Sequence, residues 1–292
     1  MNQPKVSVII PVHNGEKEIS SCLSSVLKQS YLNYEVIVVD NCSTDRTKQI
    51  IETFKKTSGK IIYLFEPTLG RGAARCTGEK RVTGEIILMT DVDCTVPENW
   101  IHNMCAPILR GECDGVQGFE ESLNNDFVGN MTQRQLETKY RNIQLLSGKD
   151  LIGYLDTKNF AIRRKNLEEI GFSPVKYQSN DTALAILLSK TSAQIKFEKN
   201  IKVAHKNPGS IPSLAKKQFD RAFDVYQVTK DYEIYLKNSS FLYETNQTSV
   251  SFFIFFHSLI KSILREHFAE TFFKMIQGTA WRAGLLWGTI RN

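Results

Sequence analysis

The sequence predicts an α/β fold: a mostly parallel central sheet flanked by helices, with a C-terminal amphipathic helical appendage. Two observations carry that reading. Short apolar runs rich in Val and Ile recur at Val6 to Ile10, Glu35 to Val39, Ile61 to Phe65 and Glu85 to Met89, which fits strands buried on both faces. Between them the apolar positions fall at helical spacing, and alternation of strand and helix implies parallel pairing through right-handed crossovers.

The elements follow in chain order. After the first strand, Ile19, Cys22, Leu23, Val26 and Leu27 keep i, i+3, i+4 spacing and predict a helix. Ile50, Ile51 and Phe54 predict a second behind the capping cluster Ser43-Thr44-Asp45. Gly70-Arg-Gly-Ala-Ala-Arg75 forms a glycine turn opening a third helix, a place favourable to anions. It is no dinucleotide fingerprint, because the third glycine is Arg75 and the turn follows the third strand. Beyond Gly111 the periodicity is less regular, with helical stretches expected at Thr132 to Leu146, after Arg164, and at Thr182 to Leu188. Past a polar passage, Phe252 to Leu264 forms a wide apolar helical stripe, and Phe268 to Ile290 repeats it with Trp281, Trp287, Lys274 and Arg282. The stripe is about half of the roughly 20 residues a membrane span needs. It is expected to lie on a membrane or to cover the domain.

Composition bounds the function. At 292 residues with 41% hydrophobic and 23% charged content, the chain suits one large α/β domain with an appendage, and it is neither disordered nor fibrous. From Ile201 onward twelve Lys and Arg stand against seven Asp and Glu, so +5 of the net +6 lies in the last third. Beside Phe, Trp and Leu, that charge points to an anionic membrane surface and away from nucleic acid. The six cysteines contain no CxxC pair and no secretory signal precedes the first strand. The expectation is therefore reduced thiols, and a cytoplasmic protein peripheral on the inner face of the membrane.

In a parallel sheet, ligands bind beyond the carboxyl ends of the strands. Those ends carry Pro11-Val12-His13-Asn14, Asp40-Asn41-Cys42-Ser43, and Asp91-Val92-Asp93. Two carboxylates one residue apart repel each other unless a cation compensates them, so the last cluster is a candidate divalent-metal site. Asp40 can accept from a nucleobase imide or a ribose hydroxyl, or can simply cap the following helix. Arg75 can offer a cationic fork to a diphosphate or lie on a solvated helix face.

These motifs resemble, in order and spacing, the inverting nucleotide-sugar transferases of glycosyltransferase family 2, which have the GT-A fold. The resemblance covers about residues 4 to 235. It implies a GT-A catalytic domain over 1–235, with nucleotide-sugar binding in 1–115 and the acceptor side in 116–235, followed by membrane-associating helices in 236–292. It also implies that Pro11, Val12, Asn14, Asp40, Arg75 and Asp91 bind the donor, a UDP-sugar, and that Thr157 and Asn159 line the sugar. Asp93 and His205 would hold Mn²⁺ or Mg²⁺. Asp181, in Ser179-Asn180-Asp181-Thr182, matches the family's catalytic base, although Asn180 replaces the usual Glu. Asn41 stands where the family often has a second Asp. The acceptor is expected to be a saccharide or lipid-linked. A sugar nucleotidyltransferase is the rival enzyme, but it calls for a glycine-rich basic loop after strand one that Pro11 to Glu16 lacks. A non-catalytic nucleotide- or membrane-binding homologue is the other rival, which Asn180 would favour.

Overall fold

A computed structural model describes residues 3–141, 143–151, 154–177, 180–236 and 268–290. The chain divides into two compact units, Met1–Leu123 with Lys139–Lys206, and Asn124–Thr138 with Asn207–Asn292. The long helix beginning at Ile211 groups with the C-terminal helix, on which it packs.

The first unit is a sheet with helices. Its elements are β1 (Val6–Val12), α1 (Ile19–Leu27), β2 (Tyr34–Asp40), α2 (Thr47–Thr57), β3 (Ile61–Phe65), α3 (Arg71–Arg81), β4 (Ile86–Met89), β5 (Cys94–Thr95), α4 (Trp100–Leu109) and β6 (Gly115–Ser122). Helix α5 (Phe127–Tyr140) enters the second unit, and the first resumes with β7 (Leu145–Leu146), β8 (Phe160–Arg163), α6 (Arg164–Glu169), α7 (Asn180–Leu188) and β9 (Ile195–His205).

The strand order is β3-β2-β1-β4-β8-β6-β9-β5, with β7 also on β9. The four strands read from the apolar runs pair in parallel, as expected. Beyond them the sheet is mixed: β8 runs antiparallel between β4 and β6, while β6 and β9 are parallel. Leu145 and Leu146, expected to end a helix, instead form β7 against Lys196 and Ile195.

Alternation along the strands builds two cores. Val8, Ile10, Val36 and Val38 face α1 and α4, packing with Leu23, Trp100 and Met104. Ile9, Ile37 and Val39 face the other way onto Ala74, Ile162 and Leu184. Residues i and i+2 share a face, so a strand apolar at every position feeds both layers.

The second unit is helical, comprising most of α5 with α8 (Ile211–Asp231), α9 (Glu233–Leu236) and α10 (Phe268–Ile290). Val128, Met131, Leu214 and Phe273 form its core. Two glycines of α10, Gly284 and Gly288, let α8 come close. A Cβ on Gly284 would strike the Phe219 carbonyl and lie 2.9 Å from the Ala222 Cβ, and one on Gly288 would lie 2.5 Å from the Tyr226 ring. Leu286, Trp287 and Ile290 on α10 remain exposed. No helix among the described residues is long and apolar enough to cross a membrane. The polar passage and the Phe252 to Leu264 stripe lie outside the described residues.

Candidate active site

Every residue that the resemblance singled out falls in the first unit, at or near the carboxyl edge of the sheet. The β1 and β2 ends are tied together where Asn41 N–H donates to the Val12 carbonyl at 2.8 Å, and the Asn41 carbonyl lies 2.6 Å from His13 Nδ1. Pro11 and Val12 are buried strand residues. Asn14 takes a left-handed turn at φ 52°, and its side-chain oxygen accepts from Thr44 N–H at 2.8 Å. Asp45 accepts from Thr47 N–H at 3.0 Å and Glu16 N–H at 3.1 Å, so it pins the turn into α2.

Asp40 is buried. Its Oδ1 accepts from Ser43 N–H at 3.0 Å and its Oδ2 from the Tyr63 hydroxyl at 2.9 Å. Burial and the Asp40 carboxylate both push the Tyr63 phenol pKa up. Asn41 Nδ2 donates to the Glu66 and Thr68 carbonyls at 3.0 and 2.8 Å, and its Oδ1 accepts from Gly70 N–H at 2.7 Å. An aspartate could accept at Gly70 but could not donate to the two carbonyls. Asn41 therefore fixes the loop that launches α3.

Helix α3 then positions Arg75. A Cβ on Gly72 would collide with the Pro174 carbonyl and lie 2.6 Å from the Tyr177 carbonyl, so only glycine lets the helix start so near the segment leading to α7. One turn on, Arg75 is 2% exposed. Its Nη2 donates to Asp91 Oδ1 at 2.9 Å and its Nη1 to Asp181 Oδ1 at 3.0 Å. Instead of presenting a fork to open space, the guanidinium joins a carboxylate after β4 to one in the first turn of α7. Burial opposes its charge, but Asp181 and Asp91 outweigh that and raise its pKa. Asn180 Oδ1 lies 3.5 Å from the same Nη1, and its Nδ2 donates to the Pro174 carbonyl at 3.2 Å.

Antiparallel pairing of Met89 with Phe160 brings the turn before β8 beside Asp91. From that turn the Thr157 hydroxyl donates to Asp181 Oδ1 at 2.6 Å. Asn159, expected to meet sugar hydroxyls, has its whole amide occupied inside the sheet. Its Oδ1 accepts from Trp100 Nε1 at 2.8 Å, and its Nδ2 donates to the Phe119 and Ile201 carbonyls at 2.9 and 2.8 Å. Its placement is that of a bracket across the sheet.

The β5 and β9 pairing sets Cys94 opposite His205, so Asp93 stands beside the histidine. Asp93 Oδ2 lies 3.3 Å from His205 Nε2. One carboxylate and one imidazole are donors that could hold Mn²⁺ or Mg²⁺. Among the described residues, no group of three or more His, Cys, Asp or Glu could hold a metal ion. Behind the Asp93 and His205 pair, Lys158 Nζ sits 2.6 Å from Glu120 and 2.8 Å from Asp156. Burial opposes the Lys158 charge, yet Asp156 and Glu120 hold its pKa well above the ordinary value. Cys22, whose Sγ lies 3.6 Å from the Asp91 carbonyl, has its thiol pKa pushed up by burial, which makes it a poor nucleophile.

Sequence reasoning missed Tyr63, Glu120 and Lys158, and missed that Asn41 carries a loop. Glu120 had one signal: the Glu120-Glu121 doublet closes an otherwise buried strand.

The family model for glycosyl transferase family 2 matches residues 7–171. The chain belongs to that family. Among curated relatives, the glycosyltransferase AglE of Haloferax volcanii is 32% identical over 59% of this chain and 56% of its own length. The poly(ribitol-phosphate) β-N-acetylglucosaminyltransferase TarS of Staphylococcus aureus is 41% identical over 38% of this chain and 20% of its own. The UDP-Glc:α-D-GlcNAc-diphosphoundecaprenol β-1,3-glucosyltransferase WfgD of Escherichia coli is 32% identical over 44% and 50%. The matches thus span about half or less of these relatives. Of solved structures, the mannosyltransferase PcManGT from Pyrobaculum calidifontis, in complex with GDP-Man and Mn²⁺, aligns over 100% of this chain and 87% of its own with TM-score 0.68 at 18% identity. TarS residues 1–349 with UDP-GlcNAc aligns over 77% and 66% with TM-score 0.60 at 20% identity. These likenesses establish the GT-A fold of a family 2 glycosyltransferase.

Proposed function

We propose that this chain is an inverting, metal-dependent glycosyltransferase that moves a sugar from a UDP-sugar to a hydroxyl of a saccharide or lipid-linked acceptor in polysaccharide or glycolipid synthesis. One observation carries the reading: Arg75 ties Asp181 to Asp91, two residues from the Asp93 and His205 pair. A candidate base and a candidate leaving-group site are thereby held in one network. Relatives that act on UDP-Glc or bind UDP-GlcNAc favour a UDP donor.

Asp40, with Pro11, Val12 and Asn14 around it, would receive the nucleoside. Asp93 and His205 would hold Mn²⁺ or Mg²⁺, which when bound disperses charge on a departing diphosphate. Asp181 Oδ1 takes both the Arg75 and the Thr157 hydrogen bonds, so Oδ2 is assigned the acceptor proton. As that proton moves, the acceptor oxygen bonds the anomeric carbon and the bond to the diphosphate oxygen breaks, inverting the centre in one step. Asp91 is assigned to the sugar or ribose, Thr157 to orienting Asp181, and Arg75 to holding the two carboxylates. Exposed Leu286, Trp287 and Ile290, with the basic last third, support contact with the anionic inner face of a membrane.

The test is acceptor-dependent nucleotide release across a panel of nucleotide-sugars, with and without chelator. UDP release that stops with chelator is expected, and Asp181→Asn should lower it roughly 10² to 10⁴-fold while nucleotide still binds. Release indifferent to Asp181→Asn would overturn the base assignment, and release indifferent to chelator would overturn the metal.

A further inference from the structure

We infer that Glu120 is a positioning residue for His205: its carboxylate draws the imidazole proton onto Nδ1 and leaves the Nε2 lone pair aimed past Asp93 for a divalent cation. The inference rests on the metal reading above.

The strand register creates the pairing. A register shift between Gly118 and Phe119 sets Glu120 opposite Val203 and Ser122 opposite His205 across the parallel β6 and β9. Glu120 and His205 therefore stand on one face as diagonal neighbours, within reach of long side chains. Both are sealed from solvent, at 9% and 1% exposure. Glu120 Oε2 lies 3.8 Å from His205 Nδ1, and that ring nitrogen is buried with no hydrogen-bond partner among the described residues. Closing the gap needs roughly 1 Å of ring or carboxylate movement.

The two neutral tautomers differ sharply here. With the proton on Nε2, the Nδ1 lone pair faces a carboxylate in a low-dielectric place, which is repulsive. With the proton on Nδ1, an N–H faces that carboxylate and the Nε2 lone pair faces Asp93. The Asp93 side chain is 37% exposed and screened by water, against 9% for Glu120, so the Nδ1–H tautomer leaves Nε2 to ligate. Lys158 keeps the carboxylate aimed, since its Nζ bridges Glu120 Oε2 at 2.6 Å and Asp156 Oδ2 at 2.8 Å. A carboxylate behind a ligating histidine fixes ring orientation and raises ligand basicity, and its loss costs about 10 to 100-fold in metal affinity.

The experiment reads the metal-free full chain first. Nitrogen-15 NMR near pH 8 should report His205 as the Nδ1–H tautomer, and a predominantly Nε2–H ring would overturn the proposal without any variant. Glu120→Gln should shift that tautomer balance and weaken Mn²⁺ binding, followed by electron paramagnetic resonance, about 10 to 100-fold. His205→Ala is the control. If it weakens Mn²⁺ binding while a folded Glu120→Gln changes neither tautomer nor affinity, the proposal fails and the metal reading survives. If His205→Ala binds Mn²⁺ as well as the parent, the metal reading itself fails.

Discussion

Arg75 and Asp181 are 106 residues apart in sequence and 3.0 Å apart in space. The same guanidinium reaches Asp91, so removing it leaves two carboxylates that lose their shared cation. Arg75→Met should cost roughly 2 to 4 kcal/mol in urea unfolding, somewhat under the value for fully buried pairs because Asp91 and Asp181 keep 19% and 30% side-chain exposure. A loss below about 1 kcal/mol would show the network to be energetically idle.

Asn41→Asp introduces the residue the family often carries, yet here it should destabilise. Two donated hydrogen bonds, to the Glu66 and Thr68 carbonyls, disappear while the Gly70 N–H keeps its acceptor. The expected loss is about 1 to 3 kcal/mol, with faster amide exchange at Gly70 and through the first turn of α3. An unchanged unfolding midpoint would refute the role of Asn41 in fixing this loop.

Gly284→Ala sets two effects against each other. Helix propensity alone would stabilise α10 by about 1 kcal/mol. The new methyl would meet the Phe219 carbonyl and the Ala222 Cβ, an overpacking that costs about 1 to 3 kcal/mol. A net drop in thermal midpoint is expected; a rise would mean that α8 and α10 do not approach so closely.

Glu35 gives a pH dependence. Although burial works against its charge, bonds from Lys5, Ser7 and Thr83 hold its pKa at about 2 against the ordinary 4.5. A depressed carboxyl contributes stability that is complete above the unfolded value and is lost as pH falls through the folded one. Parent stability should therefore fall between about pH 4.5 and 2, and Glu35→Gln should flatten that limb. At neutral pH the variant should lose at most about 3 kcal/mol. Parallel acid titrations of parent and variant, with identical slopes, would contradict this.

The legible part of the fold is the part written in local pattern. Val6, Ile37 and Leu88 sit in runs whose burial on both faces is visible without knowing their partners, and the helices between them carry their own spacing. The mixed half of the sheet was hidden because β5 and β7 are two residues each, and β8 finds its place only through β4 and β6. At the site, residue type and position single out Asp40, Asp93, Asp181 and His205 as candidates, and the fold sets Asp93 beside His205 and joins Asp181 to Asp91 through Arg75. The bonds that Asn159 makes inside the sheet are not legible, because an amide that recognises a sugar and one that brackets backbone carbonyls look alike in sequence. Glu120 escaped because its significance depends on a register shift two residues earlier.

The Arg75 bridge also bears on how the protein is made. During synthesis, the guanidinium and Asp91 emerge long before Asp181, so a nascent chain holds a cation whose second counter-charge does not yet exist. Burying Arg75 at that stage would be costly, which disfavours early closure of α3 onto the sheet. Docking of α3 is then favoured only once α7 has been made, which puts this seam among the last to close.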